Sequence, residues 1–444
     1  GASRRVRQLY AGNLDYLSHT QPLEIGVKTC DEGRKVLVGL GALDLSDLDA
    51  ASEYADTADS EARHLTALGR IEQAQQLEQQ VSVIAEKVLA RRPGDLHAMA
   101  DRAWAAGLLG NLASRRHDIA AAADFAQRTV QAGEDEVRFN PSDLGAWWRW
   151  TLGLQFVATT QYERGEVAKS IATFHTILAL KQDPRLPSSL GPVVWYQWIE
   201  LAKLQAQTGD TVAAAQSLKG YEHDKAEYVA GFAASDPRRA LLAQGSRSVN
   251  ASLQLVAGNS QTAFGDAAAA ADAVSIVKYA KGDVNSRLMQ QTILDSTLRI
   301  AAISAIRLGR AQQAETFARR WLALPQDPTT PIDPQNDRSS ARAVLAHALM
   351  LQGRLDEARS TLQPALAWYR QQQQAGAAET DFRHDFAYAL YVDAIAQPAD
   401  ATGASQRNAD LAEAAAQVDG ASDEAKRLAD FRHVSGLIAA AQAK

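Results

Sequence analysis

The chain has 444 residues, of which 46% are apolar and 22% are charged, and its net charge is −6. This balance is typical of a globular protein rather than a disordered one, and the absence of Lys and Arg clusters argues against nucleic acid as the main partner. No stretch approaches the roughly 18 uncharged apolar residues of a membrane span, and the single cysteine, Cys30, excludes a disulfide framework.

The first residues contain Arg4 and Arg5 but no apolar segment behind them, so they do not form an intact signal peptide. Gly1-Ala2-Ser3, with no initiator Met, has the form of an expression remnant. We therefore expect the chain to be a piece of a longer protein. We also expect that this chain itself makes no contact with a membrane.

Apolar periodicity and capping signals predict helices along the whole chain, and no segment alternates as a strand does. The last of the predicted hairpins lies within 339–369, and an irregular helix pair and a capping helix follow it. In chain order, the predicted helices are 4–18, 31–43, 46–68, 71–91, 95–114, 118–138, 142–162, 166–180, 193–207, 212–231, 237–256, 262–279, 284–307, 311–324, the hairpin within 339–369, 382–395, 408–417 and 423–441.

Two Pro-rich connectors, 183–192 and 325–334, interrupt this series, because Pro is not tolerated in a helix interior. We predict three regions: N-terminal helices or a cap at 1–45, helical repeats at 46–370, and a C-terminal helix pair with its capping helix at 371–444.

A turn residue followed five positions later by a small residue recurs along the chain, at intervals of 44 to 51 residues. A near-constant interval of this size indicates a solenoid of helix pairs. We expect each repeat of this length to contain two helices of roughly 20 residues, each about 30 Å long. The pairs are Gly69 and Ala74, Arg116 and Ala121, Gly165 and Ser170, Gly209 and Ala214, Gly258 and Ala263, Gly309 and Ala314, and Gly353 and Ala358.

The hairpin within 339–369 resembles a tetratricopeptide repeat (TPR), with a small residue in each helix, Ala346 and Ala358, and a glycine turn, Gly353. The resemblance covers about 45–366. It implies an all-α fold, a right-handed α-α superhelix (a TPR-like solenoid) of long helix hairpins. It also implies a non-enzymatic scaffold that binds a protein or peptide partner on its concave side.

The segment 91–98 is similar to inter-repeat turns in the C-terminal regions of bacterial receptor-type serine/threonine kinases, and in winged-helix or other signalling regulators. This resemblance implies a sensor or docking region with a signalling domain attached upstream. The chain carries no kinase signature. Both a periplasmic and a cytoplasmic location stay open.

The first helix of each hairpin lines the concave side in the TPR family, so its inward positions are candidate ligand contacts. Two tryptophans add candidate anchors. Trp147, Trp148 and Trp150 cannot all share one helix face, so we expect at least one of them to reach the helix surface or the neighbouring repeat. The predicted groove residues are Gln155, Tyr162, Tyr196, Lys203, Arg299, Arg307, His347, Trp147 and Trp148.

Catalytic motifs are absent: the sequence has no His-Glu-x-x-His, no phosphate-binding glycine loop and no Gly-x-Ser-x-Gly. We therefore predict no enzyme, no cofactor and no metal site. Two alternatives stay open. One is a small-molecule sensor with its ligand between repeats. The other is an α/α toroid hydrolase, which would use Trp to stack sugars and paired carboxylates for acid/base work.

Overall fold

In seven helix hairpins, a residue in the left-handed backbone conformation separates the two helices. The computed structural model describes residues 2–187, 194–280, 283–325 and 334–443. Six predicted turn glycines have φ values between 70° and 91° there, a region that glycine enters without steric cost. These six predicted turns are confirmed. They are Gly69, Gly165, Gly209, Gly258, Gly309 and Gly353.

The one predicted turn without a glycine, at Arg116, lies one residue later than predicted. His117, with φ 61°, takes the left-handed position, whereas Arg116 has φ −99°. The small residue five positions on is therefore Ala122, which is fully buried, and not Ala121. The prediction of Arg116 and Ala121 was wrong because a non-glycine residue occupies the turn and gives no sequence signal.

The described residues form twenty α-helices and no strand, which confirms the predicted all-α class of helix hairpins. Most helices are close to the expected length of about 20 residues. In chain order they are α1 Ala2–Ser18, α2 Leu23–Val38, α3 Leu48–Ala67, α4 Ile71–Arg91, α5 Leu96–Arg115, α6 Ile119–Phe139, α7 Leu144–Glu163, α8 Val167–Ala179, α9 Gln197–Gln207, α10 Thr211–Ala230, α11 Pro237–Val256, α12 Ser260–Ser275, α13 Val284–Arg307, α14 Ala311–Leu322, α15 Pro334–Met350, α16 Leu355–Gln374, α17 Thr380–Ala396, α18 Ala401–Asp419, α19 Asp423–Lys426 and α20 Ala429–Gln442.

Aspartate side chains begin many of these helices. Each accepts a hydrogen bond from a backbone N–H of the first turn, which satisfies a donor that has no partner inside the helix. Asp47, for example, accepts from the backbone N–H groups of Asp49 and Ala50. The aspartate caps are Asp47, Asp95, Asp118, Asp210, Asp236, Asp283 and Asp400.

The ends of the chain depart from the predicted bounds. Helix α2 begins directly after Pro22 and ends at Val38, so the prediction of 31–43 was wrong. Proline suits the position before a helix, where no backbone donor is needed. The predicted terminal helix 423–441 is broken at Leu428, whose extended backbone separates α19 from α20.

The two predicted Pro-rich connectors are only partly described. Residues 183–187 follow a short 3₁₀ turn, Leu180–Gln182, and are not helical. Residues 188–193 and 326–333 lie outside the described part of the chain.

The described residues fall into two compact units. The first unit holds 2–160 and 179–187, and the second holds 161–178, 194–280, 283–325 and 334–443. Each unit has its own apolar core, and the small residue after each turn is buried, so that paired helices approach closely. Among the described helices, none combines the length and the hydropathy that crossing a bilayer requires.

Candidate ligand-binding surface

The end of α7 is hydrogen-bonded to the start of α17 in the second unit. The Tyr162 hydroxyl donates to Asp381 Oδ1 at 2.6 Å, and Thr380 Oγ1 donates to the Tyr162 carbonyl at 2.8 Å. The backbone N–H of Asp381 points to Glu163 Oε2 at 3.4 Å. These contacts join residues more than 200 positions apart and place a tyrosine and two carboxyl groups side by side.

Arg299, on α13, faces these carboxyl groups. Its side chain is exposed, and it forms no ion pair within 4 Å with any described residue. The surrounding protein removes part of the hydration of Arg299, which lowers its pKa, but the carboxylates of Asp295, Asp385, Asp381 and Asp430 outweigh this effect and raise the pKa. Carboxylates on α13, α17 and α20 thus act on Arg299 without forming an ion pair within 4 Å with it.

The carboxyl groups of this surface differ in protonation behaviour. Burial raises the pKa of Glu163 well above its usual range, and the nearby Asp381 raises it further. Burial also raises the pKa of Asp381, although the Tyr162 hydroxyl opposes this effect. Burial would raise the pKa of Asp385 too, but hydrogen bonding and charge from His384, with Nδ1 2.8 Å from Asp385 Oδ1, hold it low.

A helix from the C-terminal part of the chain completes the surface. The backbone N–H of Asp430, at the start of α20, donates to Gln207 Oε1 at 3.1 Å. Ser422 Oγ donates to the Gly165 carbonyl at 2.9 Å. We call the assembled group the polar cluster, and its members are Tyr162, Glu163, Asp295, Arg299, Asp381, Asp385 and Asp430.

Two predicted groove residues, Tyr162 and Arg299, belong to the polar cluster, and two more lie beside it. Arg307 Nη2 is 3.9 Å from Asp430 Oδ1, and Arg307 Nη1 donates to the Leu255 carbonyl at 3.0 Å. Lys203 pairs with Glu200 at 2.9 Å and also acts electrostatically on the carboxyl of Asp295. The structure therefore brings together four of the positions that the repeat pattern selected.

His347 and Tyr196 are also in the second unit, in different surroundings. His347 is 6% exposed, with Nδ1 2.7 Å from the Tyr388 hydroxyl, and burial lowers its pKa to about 4. It is a neutral group beneath the surface. Tyr196 is 41% exposed, its ring lies 6.3 Å from that of Trp195, and burial of its hydroxyl raises its pKa to about 12.

The remaining predicted residues lie in the first unit. Trp147 has no exposed surface, and its Nε1 donates to the Pro141 carbonyl at 2.9 Å, so it is a core residue and not part of the candidate surface. Trp148 is 42% exposed, as expected for at least one tryptophan of this helix, and Gln155 is half-buried.

Sequence reasoning missed the five acids of the cluster: Glu163, Asp295, Asp381, Asp385 and Asp430. Asp381 and Asp385 share one face of α17 because they are four residues apart. That spacing was visible in the sequence, but α17 lies outside the repeat phase. No local signal could show that its first turn lies against the end of α7.

The fold and this surface define a class: an all-helical repeat protein with a surface of mixed charge on one of its units. No protein-family model and no curated protein matches the chain. Solved structures to which it is similar include a Rap protein complexed with competence and sporulation factor, at 12% identity over 88% of this chain and 96% of that chain, with a TM-score of 0.44. A second is yeast Tom70, at 10% identity over 82% of this chain and 94% of that chain, with a TM-score of 0.27. A third is the P58(IPK) TPR domain, at 14% identity over 94% of this chain and 99% of that chain, with a TM-score of 0.20.

Proposed function

We propose that the second unit is a non-enzymatic module that binds a peptide, or an extended segment of a protein, across the polar cluster. The observation that carries this proposal is Arg299, an exposed cation among carboxylates that forms no ion pair within 4 Å with a described residue. The guanidinium group of Arg299 is therefore exposed to a ligand that approaches the cluster. Carbonyl or carboxylate groups of a bound segment can accept hydrogen bonds from Arg299, and the segment's N–H groups or cationic side chains can donate to the neighbouring carboxylates.

The charge of the cluster indicates the charge of the ligand. Carboxylates outnumber fixed cations there. Burial raises the pKa values of Glu163 and Asp381, and repulsion by neighbouring carboxylates raises them further. A Lys or Arg side chain placed beside Asp381 would relieve that repulsion. We therefore propose a peptide with at least one basic residue, whose carbonyl or acidic groups contact Arg299.

As context, we propose that the whole chain is the sensor or docking region of a longer bacterial signalling protein. Within this proposal 46–370 form the repeats, 1–45 form an N-terminal cap and 371–444 form a C-terminal helix pair with its capping helix. The proposal needs no cofactor and no metal.

Selection from a phage-displayed library of random dodecapeptides would test the binding function. Wild-type protein would be compared with Arg299→Met and with Lys219→Met, a matched control that removes an exposed cation on α10. We expect wild type and control to enrich the same basic peptides, and Arg299→Met to bind them at least about tenfold more weakly. No enrichment by wild type, or equal binding by Arg299→Met, would overturn the proposal.

A double-mutant cycle would test the charge assignment. Calorimetry would compare a selected peptide and its Lys→Met analogue on wild type and on Asp381→Asn. If Asp381 holds the basic side chain, the analogue loses affinity on wild type and loses little on Asp381→Asn. Equal losses on both proteins would contradict the role of Asp381.

A further inference from the structure

Glu78, on α4 of the first unit, is buried without a hydrogen-bond donor. Its exposed fraction is zero, and neither of its carboxyl oxygens has a partner among the described residues. Asp101, on α5, is 2% exposed, and its Oδ2 also has no donor. A buried carboxylate without donors is strongly disfavoured, whereas a protonated carboxyl supplies its own donor.

The neighbours of these two acids are mostly acids. Glu78 faces Asp59 and Arg63 from α3, and Asp101 faces Asp56 and Asp59 from α3 as well as Glu78 itself. Three further titratable groups face Asp56: His97, with Nδ1 3.7 Å from its carboxyl, Asp15 and Glu53.

The one arginine in this group is already engaged. Arg63 Nε donates to Asp59 Oδ2 at 2.7 Å, and Arg63 Nη2 donates to Asp59 Oδ1 at 3.1 Å. Neither carboxyl oxygen of Glu78 accepts a hydrogen bond from it, and Oδ2 of Asp101 accepts none either, so Arg63 is not their direct partner. A divalent ion does not fit either, because the only described residues that bring three ligand atoms within 4.8 Å are His223, Asp224 and Glu227.

We propose that the first unit contains a proton-controlled contact, in which Glu78 and Asp101 share protons with Asp59 and Asp56 when α4 and α5 pack against α3. Loss of these protons loosens the packing of the three helices. The contact makes the order of this unit respond to pH, and it is separate from the peptide-binding function proposed above.

The direction of the response follows from burial and charge. Burial, together with the neighbouring carboxylates, raises the pKa values of Glu78 and Asp101 well above their usual range. The folded unit then holds protons that the unfolded chain releases. The stabilisation is complete below the ordinary carboxyl pKa of about 4 and is lost as the pH rises through the raised values.

Hydrogen–deuterium exchange, corrected for the intrinsic effect of pH on exchange, would test the contact. Peptides from 71–115 would be followed at about pH 5.5 and about pH 8, with α12 as an internal reference. In wild type we expect opening of α4 and α5 to become at least tenfold more frequent at the higher pH. In Glu78→Gln/Asp101→Asn, whose neutral side chains imitate the protonated form, protection should not depend on pH.

Glu86→Gln is the matched control, since Glu86 is an exposed acid on the same helix, and it should behave as wild type. Exchange that is independent of pH in wild type, or an unchanged response in the double variant, would overturn the proposal. If the double variant does not fold, carboxyl ¹³C shifts of wild type decide the matter. Titration of Glu78 and Asp101 in the ordinary range would refute the shared protons, and titration above that range would support them.

Discussion

At the scale of single residues, His347 couples the second unit to pH. Burial lowers its pKa to about 4, whereas an unfolded histidine has a pKa of about 6.5. The unfolded chain therefore binds this proton more readily, and stability is lost as the pH falls from about 6.5 towards about 4. At pH 5 the free energy of unfolding is lower than at neutral pH by about 2 kcal/mol because of His347.

Replacing His347 by Gln should make the acid loss of stability smaller, since glutamine does not titrate. Urea unfolding at about pH 7.5 and about pH 5 would measure the difference for wild type and variant. His433, whose pKa burial also lowers to about 4, keeps part of the response. An equal loss in both proteins would show that His347 is not the titrating group.

A second residue-scale prediction concerns Arg149 and Glu136 in the first unit. Glu136 has no exposed surface, and Arg149 Nε donates to its Oε2 at 2.8 Å while Arg149 Nη2 contacts Oε1. Arg149→Met should cost about 3–5 kcal/mol, because it leaves a buried carboxylate without its partner. In urea unfolding, adding Glu136→Leu should restore most of this loss. A double variant as unstable as the single one would contradict this explanation.

At the scale of helices and turns, the left-handed glycines form the turns between the paired helices. Gly353 has φ 76°, and a Cβ added there would meet no atom within 4 Å, so only backbone strain opposes a side chain. Gly353→Ala should destabilise the protein by about 1–2 kcal/mol. Gly265 is the matched control: it is exposed inside α12, and a Cβ there also meets nothing within 4 Å.

Gly265→Ala should stabilise the protein by about 0.5–1 kcal/mol, because alanine has the higher helix propensity. Thermal unfolding of the two variants should thus give shifts of opposite sign. If both variants shift the melting temperature in the same direction, the left-handed conformation is not what requires glycine at position 353.

The element scale also shows how far the sequence could predict the fold. Glycine in a turn and a buried small residue five positions later are local signals, so the hairpins and their phase were predictable. His117 carries no such signal, and that turn was misplaced by one residue. Helix starts also have local signals, such as Pro22 before α2 and the capping aspartates. The break at Leu428 has none, and the residues on either side of it are held by the distant Gly165 and Gln207.

At the scale of the whole molecule, the candidate surface depends on contacts between distant parts of the chain. Tyr162 and Arg299 were predictable from the repeat phase because they lie on the first helices of hairpins. Asp381 and Asp430 reach them only because α17 and α20 return to the ends of α7 and α9. No periodic pattern predicts such a return, so Asp381, Asp385 and Asp430 could not be placed in the polar cluster from the sequence.

The central claim is that a peptide binds across the polar cluster. Its most direct test is hydrogen–deuterium exchange of the full chain with and without the tightest dodecapeptide from the random library. We expect new protection in the segments that carry the cluster, 295–307 and 380–388, and unchanged exchange in α4 and α5. Protection confined to the first unit, or no change at saturating peptide, would contradict the claim.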